Sequence, residues 1–177
     1  MRVFLSSGKP VLGVCNGFQA LLKAGLFEQR RNIGSQKSDV GEQGVEDSQA
    51  TSDVQPLTST LTFNDDGHFE CRWVSLAPRS QVCVWTRALN EDIYCPVAHG
   101  EGNFTAADAD TLAALHDNDQ VALVYVGADG GMARGAYPAN PNGSADDIAG
   151  ICTPAGHVLG LMPSTDARRG GKGCRSR

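Results

Sequence analysis

Apolar and polar positions along this 177-residue chain follow two rhythms, one of period two and one of period 3.6. Pro10 to Val14 is a short, β-branched apolar run of strand length. From Phe18 to Lys23 the apolar positions recur at helical spacing and stop at Gly25, a helix-ending residue. A helix-like stretch, Met1 to Ser7, precedes them. Residues 28–56 are rich in Gln, Ser, Asp and Gly and hold neither rhythm, which predicts a surface insertion loop rather than a domain boundary. Leu57 to Phe63 and His68 to Leu76 read as strands flanking a tight turn at Asn64-Asp-Asp-Gly67, and Gln81 to Thr86 reads as another short strand. Thr105 to His116 predicts a helix with Thr105 as N-cap, Asp108 three residues on, and Leu112 and Leu115 sharing a face. Gln120 to Val126 is strand-like, and Asp146 to Cys152 and His157 to Met162 are apolar runs around a turn at Pro154-Ala-Gly156.

Within this pattern Cys15 occupies a distinctive place, between a predicted strand and a predicted helix with Gly13 and Gly17 on either side. Flanking glycines let a backbone turn sharply and expose the side chain between them, which is how a nucleophile is presented at a strand-to-helix elbow. The N–H groups opening the helix then form a cradle for an oxyanion. Two other readings compete. A cysteine after an apolar strand is often a small core residue. Leu12-Gly-Val-Cys15 also loosely resembles a lipoprotein cleavage site, but Gly8-Lys9-Pro10 interrupts the apolar region and Val14 is not small.

Composition narrows the field only a little. With 41% hydrophobic residues the chain is long enough for one domain with a real core, and no apolar run is long enough to span a membrane. The six cysteines include no Cys-x-x-Cys pair and no secretion signal accompanies them, so they read as reduced thiols of a cytoplasmic protein, mostly buried in strands, with no metal site. A net charge of −5 gives no reason to expect a nucleic-acid partner. Residues 168–177 hold five basic and no acidic side chains. That tail can be read as an RNA-binding arm, but it has no apolar periodicity, and the economical expectation is a basic, disordered segment, 164–177, outside a domain spanning 1–163.

Five ordered motifs carry a resemblance. Cys15-Asn-Gly-Phe-Gln19, Phe69-Glu-Cys-Arg-Trp-Val74, Ala98-His-Gly-Glu-Gly102, Tyr137-Pro-Ala-Asn-Pro-Asn-Gly-Ser144 and Gly156-His-Val-Leu-Gly-Leu-Met-Pro163 together resemble the glutamine amidotransferase subunit of phosphoribosylformylglycinamidine synthase, a class I, triad-type amidotransferase. The resemblance implies an open, doubly wound α/β sheet with ligands at the carboxyl ends of its strands. It implies a glutaminase that works through a cysteine thioester and passes ammonia to a larger synthetase subunit in purine biosynthesis, with a small bridging subunit as a further partner. ATP and magnesium would belong to the synthetase, so no cofactor is expected in this chain. Residue by residue, it makes Cys15 the nucleophile, assigns the Asn16 backbone N–H and Gly17 to the oxyanion hole, gives Gln19 the shaping of the glutamine pocket, and places His99 and Glu101 near pocket or interface.

Two departures qualify the resemblance. After Gly-Leu-Met-Pro the family reads His-Pro-Glu-Arg, supplying the base and the carboxylate that orients it; here the segment is Ser164-Thr165-Asp166-Ala167. His157 opens the same predicted strand seven residues earlier, roughly 23 Å away at ~3.3 Å per residue, and His99 is expected in a different loop. Amide cleavage needs one group to accept the thiol proton and deliver a proton to ammonia, so a very poor glutaminase, or an inactive remnant docking on the synthetase, is expected. A cysteine hydrolase using His99 as base is a third reading. The second departure precedes Cys15, where the family's Gly-rich oxyanion loop and first strands have no counterpart. The expected fold is therefore incomplete, with one edge of the Pro10–Val14 strand unpaired. An upstream start and a frameshift or gene-prediction error after Pro163 are the expected sources of both departures.

Overall fold

A computed structural model describes residues 7–27 and 59–163. The segment 28–56, the stretch before Ser7 and the residues after Pro163 lie outside the described residues. In chain order the elements are β1 (Val11–Val14), α1 (Asn16–Lys23), β2 (Ser59–Thr62), β3 (Glu70–Pro78), β4 (Ile93–His99), β5 (Asn103–Ala106), α2 (Ala109–Asp117), β6 (Val121–Val126), a single 3₁₀ turn (Ala145–Asp147), β7 (Ile148–Cys152) and β8 (Val158–Leu161).

Six strands form one open sheet in the order β1-β8-β7-β6-β3-β4, and β2 pairs with β5 in a separate ribbon. The α/β open sheet is as expected, and β1 pairs among the described residues with β8 alone. That pair is parallel, with Val11 opposite Val158 and Val14 opposite Leu161; the other pairings of the sheet are antiparallel. Every residue of β6, β7 and β8 is buried, so the centre of the sheet is covered on both faces. Neighbouring residues in these strands point to opposite faces: Val158 joins a cluster with Phe18, Leu21, Phe104 and Leu115, and Leu159 a second cluster with Leu76, Val97 and Tyr125. Both described helices lie in the first layer.

The absence of side chains at two adjacent strand positions lets α1 lie flat on the sheet. Gly13 and Gly160 are register partners. A Cβ at Gly13 would collide with the Leu21 side chain and sit 2.9 Å from the Gly17 carbonyl; one at Gly160 would run into the Phe18 ring, reaching Cε2 at 2.6 Å. A Cβ at Gly17 would meet nothing within 4 Å. The expected need for glycine on both sides of Cys15 thus holds sterically at Gly13, whose neighbour is the Gly17 backbone.

Several expectations are corrected. Gln81–Thr86 is a turn, not a strand. Its amides are taken locally: Gln81 and Val82 donate to Asp119 Oδ2 (2.7 and 3.0 Å), Cys83 to Ser80 Oγ (3.0 Å), and Thr86 and Arg87 to the Cys83 carbonyl. Such bonds compete with a ladder. Asp108, not Thr105, caps α2, accepting from the Thr111 amide at 2.7 Å, while Thr105 lies in β5 opposite Thr60. The Asn64–Gly67 turn forms, with Gly67 N–H donating to Asn64 O at 2.8 Å, but its flanking strands do not pair with each other. His99 closes strand β4 rather than sitting in a loop. Beside these corrections, Trp73 on β3 is 39% exposed and stacked on Tyr94. Cys15, Cys83, Cys95 and Cys152 are free thiols, whereas Cys71, half-buried on β3, is disulfide-bonded, so the expectation of six reduced thiols fails there. No helix among the described residues is long and apolar enough to cross a membrane.

Candidate active site

Cys15 alone links β1 to α1, and its backbone carries the bend, with φ 53° and ψ −114°. For a residue with a Cβ this is sparsely populated space costing about 1–3 kcal/mol, and it persists only where the surroundings over-determine it. They do so here from both sides. The Cys15 N–H donates to the Leu161 carbonyl at 2.9 Å, continuing the β1–β8 ladder, and its own carbonyl accepts from Phe18 (2.9 Å) and Gln19 (3.2 Å), opening α1. The half-buried thiol lies beside the head of the helix, 3.9 Å from Asn16 Oδ1. Asn16 and Gly17 are the first residues of α1, where amides have no carbonyl one turn back to receive them.

One turn along, Gln19 Nε2 donates to the Glu101 carbonyl (3.3 Å) and to Glu101 Oε2 (3.4 Å), so the segment after β4 is tied to the elbow helix. The small cleft beside this contact, about 80 Å³, is lined by Gln19, Leu22, Thr60 and Glu101 among others, without Cys15. Glu101 is held in place from behind. His99 is buried, its Nδ1 lies 3.2 Å from Asn64 Oδ1, and the same oxygen accepts from the Gly102 amide at 3.0 Å. Asn64 Nδ2 in turn donates to His99 O (2.9 Å), and Asn142 Nδ2 to Gly102 O (2.7 Å). Burial depresses the His99 pKa to about 4, and its Nε2 has no hydrogen-bond partner among the described residues. An imidazole so weakly basic, bonded to Asn64 rather than to Cys15, suits bracing and not proton abstraction near neutral pH.

His157 is placed at the wrong end. Its carbonyl accepts from Val11 N–H (2.8 Å) at the start of β1, four residues and ~13 Å of strand from Cys15. The parallel register instead brings the exit of β8, where Met162 and Pro163 are buried, alongside the elbow. Ser164 and Asp166 follow directly in sequence but lie outside the described residues.

The sequence model of the CobB/CobQ-like glutamine amidotransferase domain matches residues 1–169. The chain belongs to this family. Among its relatives, phosphoribosylformylglycinamidine synthase subunit PurQ of Treponema denticola is 45% identical over 163 residues, covering 90% of this chain and 56% of the relative. The PurQ of Methanococcus maripaludis is 39% identical over 160 residues, covering 90% and 51%. Among solved structures, a chain of the PurLQS structure from Thermotoga maritima superposes with a TM-score of 0.57 at 28% identity, over 90% of this chain and 52% of that one. The chain spans about half the length of the relatives it matches.

In this glutamine amidotransferase domain the resemblance motifs converge. His99 is opposite Glu70 at the end of β3 and β4 that lies beyond Val126, on the same side of the sheet as Cys15. The 140–144 loop reads as turn chemistry in sequence, yet Asn140, Asn142 and Ser144 are nearly fully buried. Ser144 Oγ accepts from Phe104 N–H (3.0 Å) and lies 3.3 Å from Gly102 O, so the loop supports the Glu101 segment from below. Arg72 pairs with Glu70 at 2.6 Å and lays its guanidinium over the Tyr137 ring, 4.4 Å from the centroid. Sequence reasoning missed Asn64. The available signal was an amide side chain opening a turn, which reads as turn propensity and says nothing of a partner 35 residues away.

Proposed function

We propose that this chain is the glutaminase domain of a phosphoribosylformylglycinamidine synthase. In this reading the Cys15 sulfur attacks the carboxamide carbon of glutamine, forming a C–S bond, and the oxyanion is received by the N–H groups of Asn16 and Gly17. The C–N bond then breaks as the nitrogen takes the proton given up by the thiol and leaves as ammonia, and water hydrolyses the thioester to glutamate, one of its protons returning to the sulfur as the thiol. Gln19 and Glu101 bound the pocket, and His99 supports Glu101 from inside the protein. The ammonia passes to a synthetase subunit in the cytoplasm, with a small bridging subunit completing the assembly and ATP and magnesium held by the synthetase. Residues 1–163 form the partial amidotransferase domain and 164–177 a basic tail.

The observation that carries this reading is the positive-φ Cys15, pinned by hydrogen bonds from both β8 and α1. Its weakness as an enzyme follows from sequence. Ser164 and Asp166 stand where the family resemblance calls for His and Glu. Losing a positioned acid–base group costs about 10²–10⁴-fold in rate. Glutamate release by the chain mixed with the synthetase tests both halves: the double variant Ser164→His/Asp166→Glu is expected to exceed the wild-type rate by at least about 100-fold. Equal rates would contradict the assignment of that segment. The Ser164 and Asp166 replacements also favour a second reading, an inactive domain retained for docking, which predicts co-elution with the synthetase and no glutamate release from either form.

A further inference from the structure

A cavity of about 690 Å³ opens over β6, lined by Arg79, His116, Asp119, Val124, Met132 and Arg134 among others, and by none of Cys15, Gln19, His99 or Glu101. It falls within the range of small-molecule sites, roughly 300–1,000 Å³. It runs along β6, from Asp119 and Val121 at the end of the sheet away from Cys15 to Met132, the bridge partner of Val126.

Its backbone is unusual. Of the five non-glycine residues with positive φ among the described residues, Cys15 is one; the other four, Asp119 (54°), Arg134 (53°), Asp146 (48°) and Asp147 (58°), all line this cavity. Aspartate tolerates this region comparatively well, whereas arginine is held there at a cost. The carboxylates are already engaged. Asp119 Oδ2 accepts from Gln81 and Val82, and Asp147 from the Arg134 and Gly135 amides (2.6 and 2.8 Å) and from Asn140 Nδ2 (2.9 Å). Asp146 lies 3.0 Å from His116 Nε2. The guanidinium of Arg79, by contrast, touches Met132 Sδ at 3.1 Å, and neither Arg79 nor Arg134 forms a salt bridge with a carboxylate among the described residues. Two exposed arginines, each a planar, bidentate donor, thus line the cavity together with the buried Val121 and Val124 and with Met132.

We propose that this cavity binds a small organic anion with a ring: Arg79 and Arg134 hold a phosphate or carboxylate head, and the ring lies on Val121, Val124 and Met132. The inference is independent of the glutaminase reading, since the two sites share no lining residue named above.

The test is calorimetric titration of the full chain with phenyl phosphate, benzoate, inorganic phosphate and phenol. At least one of the ring-bearing anions is expected to bind with a dissociation constant below about 1 mM, and inorganic phosphate and phenol at least about tenfold more weakly, because each lacks half of the contacts. The stronger of phenyl phosphate and benzoate identifies the head group. Arg134→Gly is expected to weaken that binding at least about tenfold without loss of stability, because glycine suits the 53° backbone and the amide to Asp147 is retained. Arg79→Gln is expected to do the same from an exposed position. Failure of both ring-bearing anions to bind at about 10 mM, binding no tighter than that of phosphate alone, or unchanged affinity in Arg134→Gly would each overturn the proposal.

Discussion

Replacing Cys15 by glycine should make the folded domain more stable than replacing it by alanine, the reverse of the usual order. Both variants remove the thiol. Alanine keeps the Cβ and with it the conformational penalty of φ 53° and ψ −114°, about 1–3 kcal/mol. Glycine relieves that penalty but gives back about 0.5–1 kcal/mol through the greater freedom of its unfolded chain. The Cβ itself sits in a half-buried position and contributes about 0.5 kcal/mol of apolar contact at most. At the middle of these ranges the balance leaves Cys15→Gly ahead of Cys15→Ala by about 1 kcal/mol. At an ordinary helix position alanine would lead by about 0.5–1 kcal/mol, so the sign alone decides. Urea unfolding followed by the fluorescence of Trp73 and Trp85 reads the difference as a midpoint shift of roughly 0.5 M, given a slope of about 1–3 kcal/mol/M. An alanine variant as stable as the glycine variant, or more stable, would show that the bend at Cys15 is unstrained and that the elbow has been misread.

Two other perturbations test the surroundings of the elbow. Gly160→Ala drives a methyl group into the Phe18 ring and lifts α1 from β8; a loss of about 1–3 kcal/mol in the same unfolding assay is expected. Acidification tests His99, whose pKa falls from 6.5 to about 4 on folding through burial. The folded state then binds fewer protons than the unfolded one, so the contribution is complete above pH ~6.5 and is lost as the pH falls towards ~4, to a limit of ~3 kcal/mol. Unfolding free energies measured from about pH 7.5 to about pH 4, across that transition, should fall more steeply for the wild type than for His99→Gln. Parallel curves would mean that His99 is not held neutral.

What the sequence disclosed depended on whether a residue's partners were close along the chain. The β1–Cys15–α1 unit is local: an apolar run, a thiol and helical spacing follow one another within fifteen residues of Lys9 and need no distant information. β6, β7 and β8 were legible because strands buried on both faces read as continuous apolar runs. β4 was obscured by Pro96, which an edge strand tolerates and a central strand does not. Gln81–Thr86 has strand composition, but the Asp119 carboxylate, 37 and 38 residues away, captures its first amides. The Asn64–His99–Gly102–Asn142 network had the same difficulty, since polar residues that read as turns become interior once distant backbone groups satisfy them. The cavity over β6 draws its lining from four separate segments and has no signature in any one of them.

The account rests on Cys15 being a presented nucleophile at the bend between β1 and α1, and covalent labelling tests that most directly. The intact chain is treated with a glutamine-like chloroketone and the modified cysteine is located by peptide mass spectrometry over time. Cys15 should be modified first, well ahead of the buried Cys83, Cys95 and Cys152, and added glutamine should slow the reaction. Labelling that spares Cys15, or that proceeds at the same rate with and without glutamine, would contradict it.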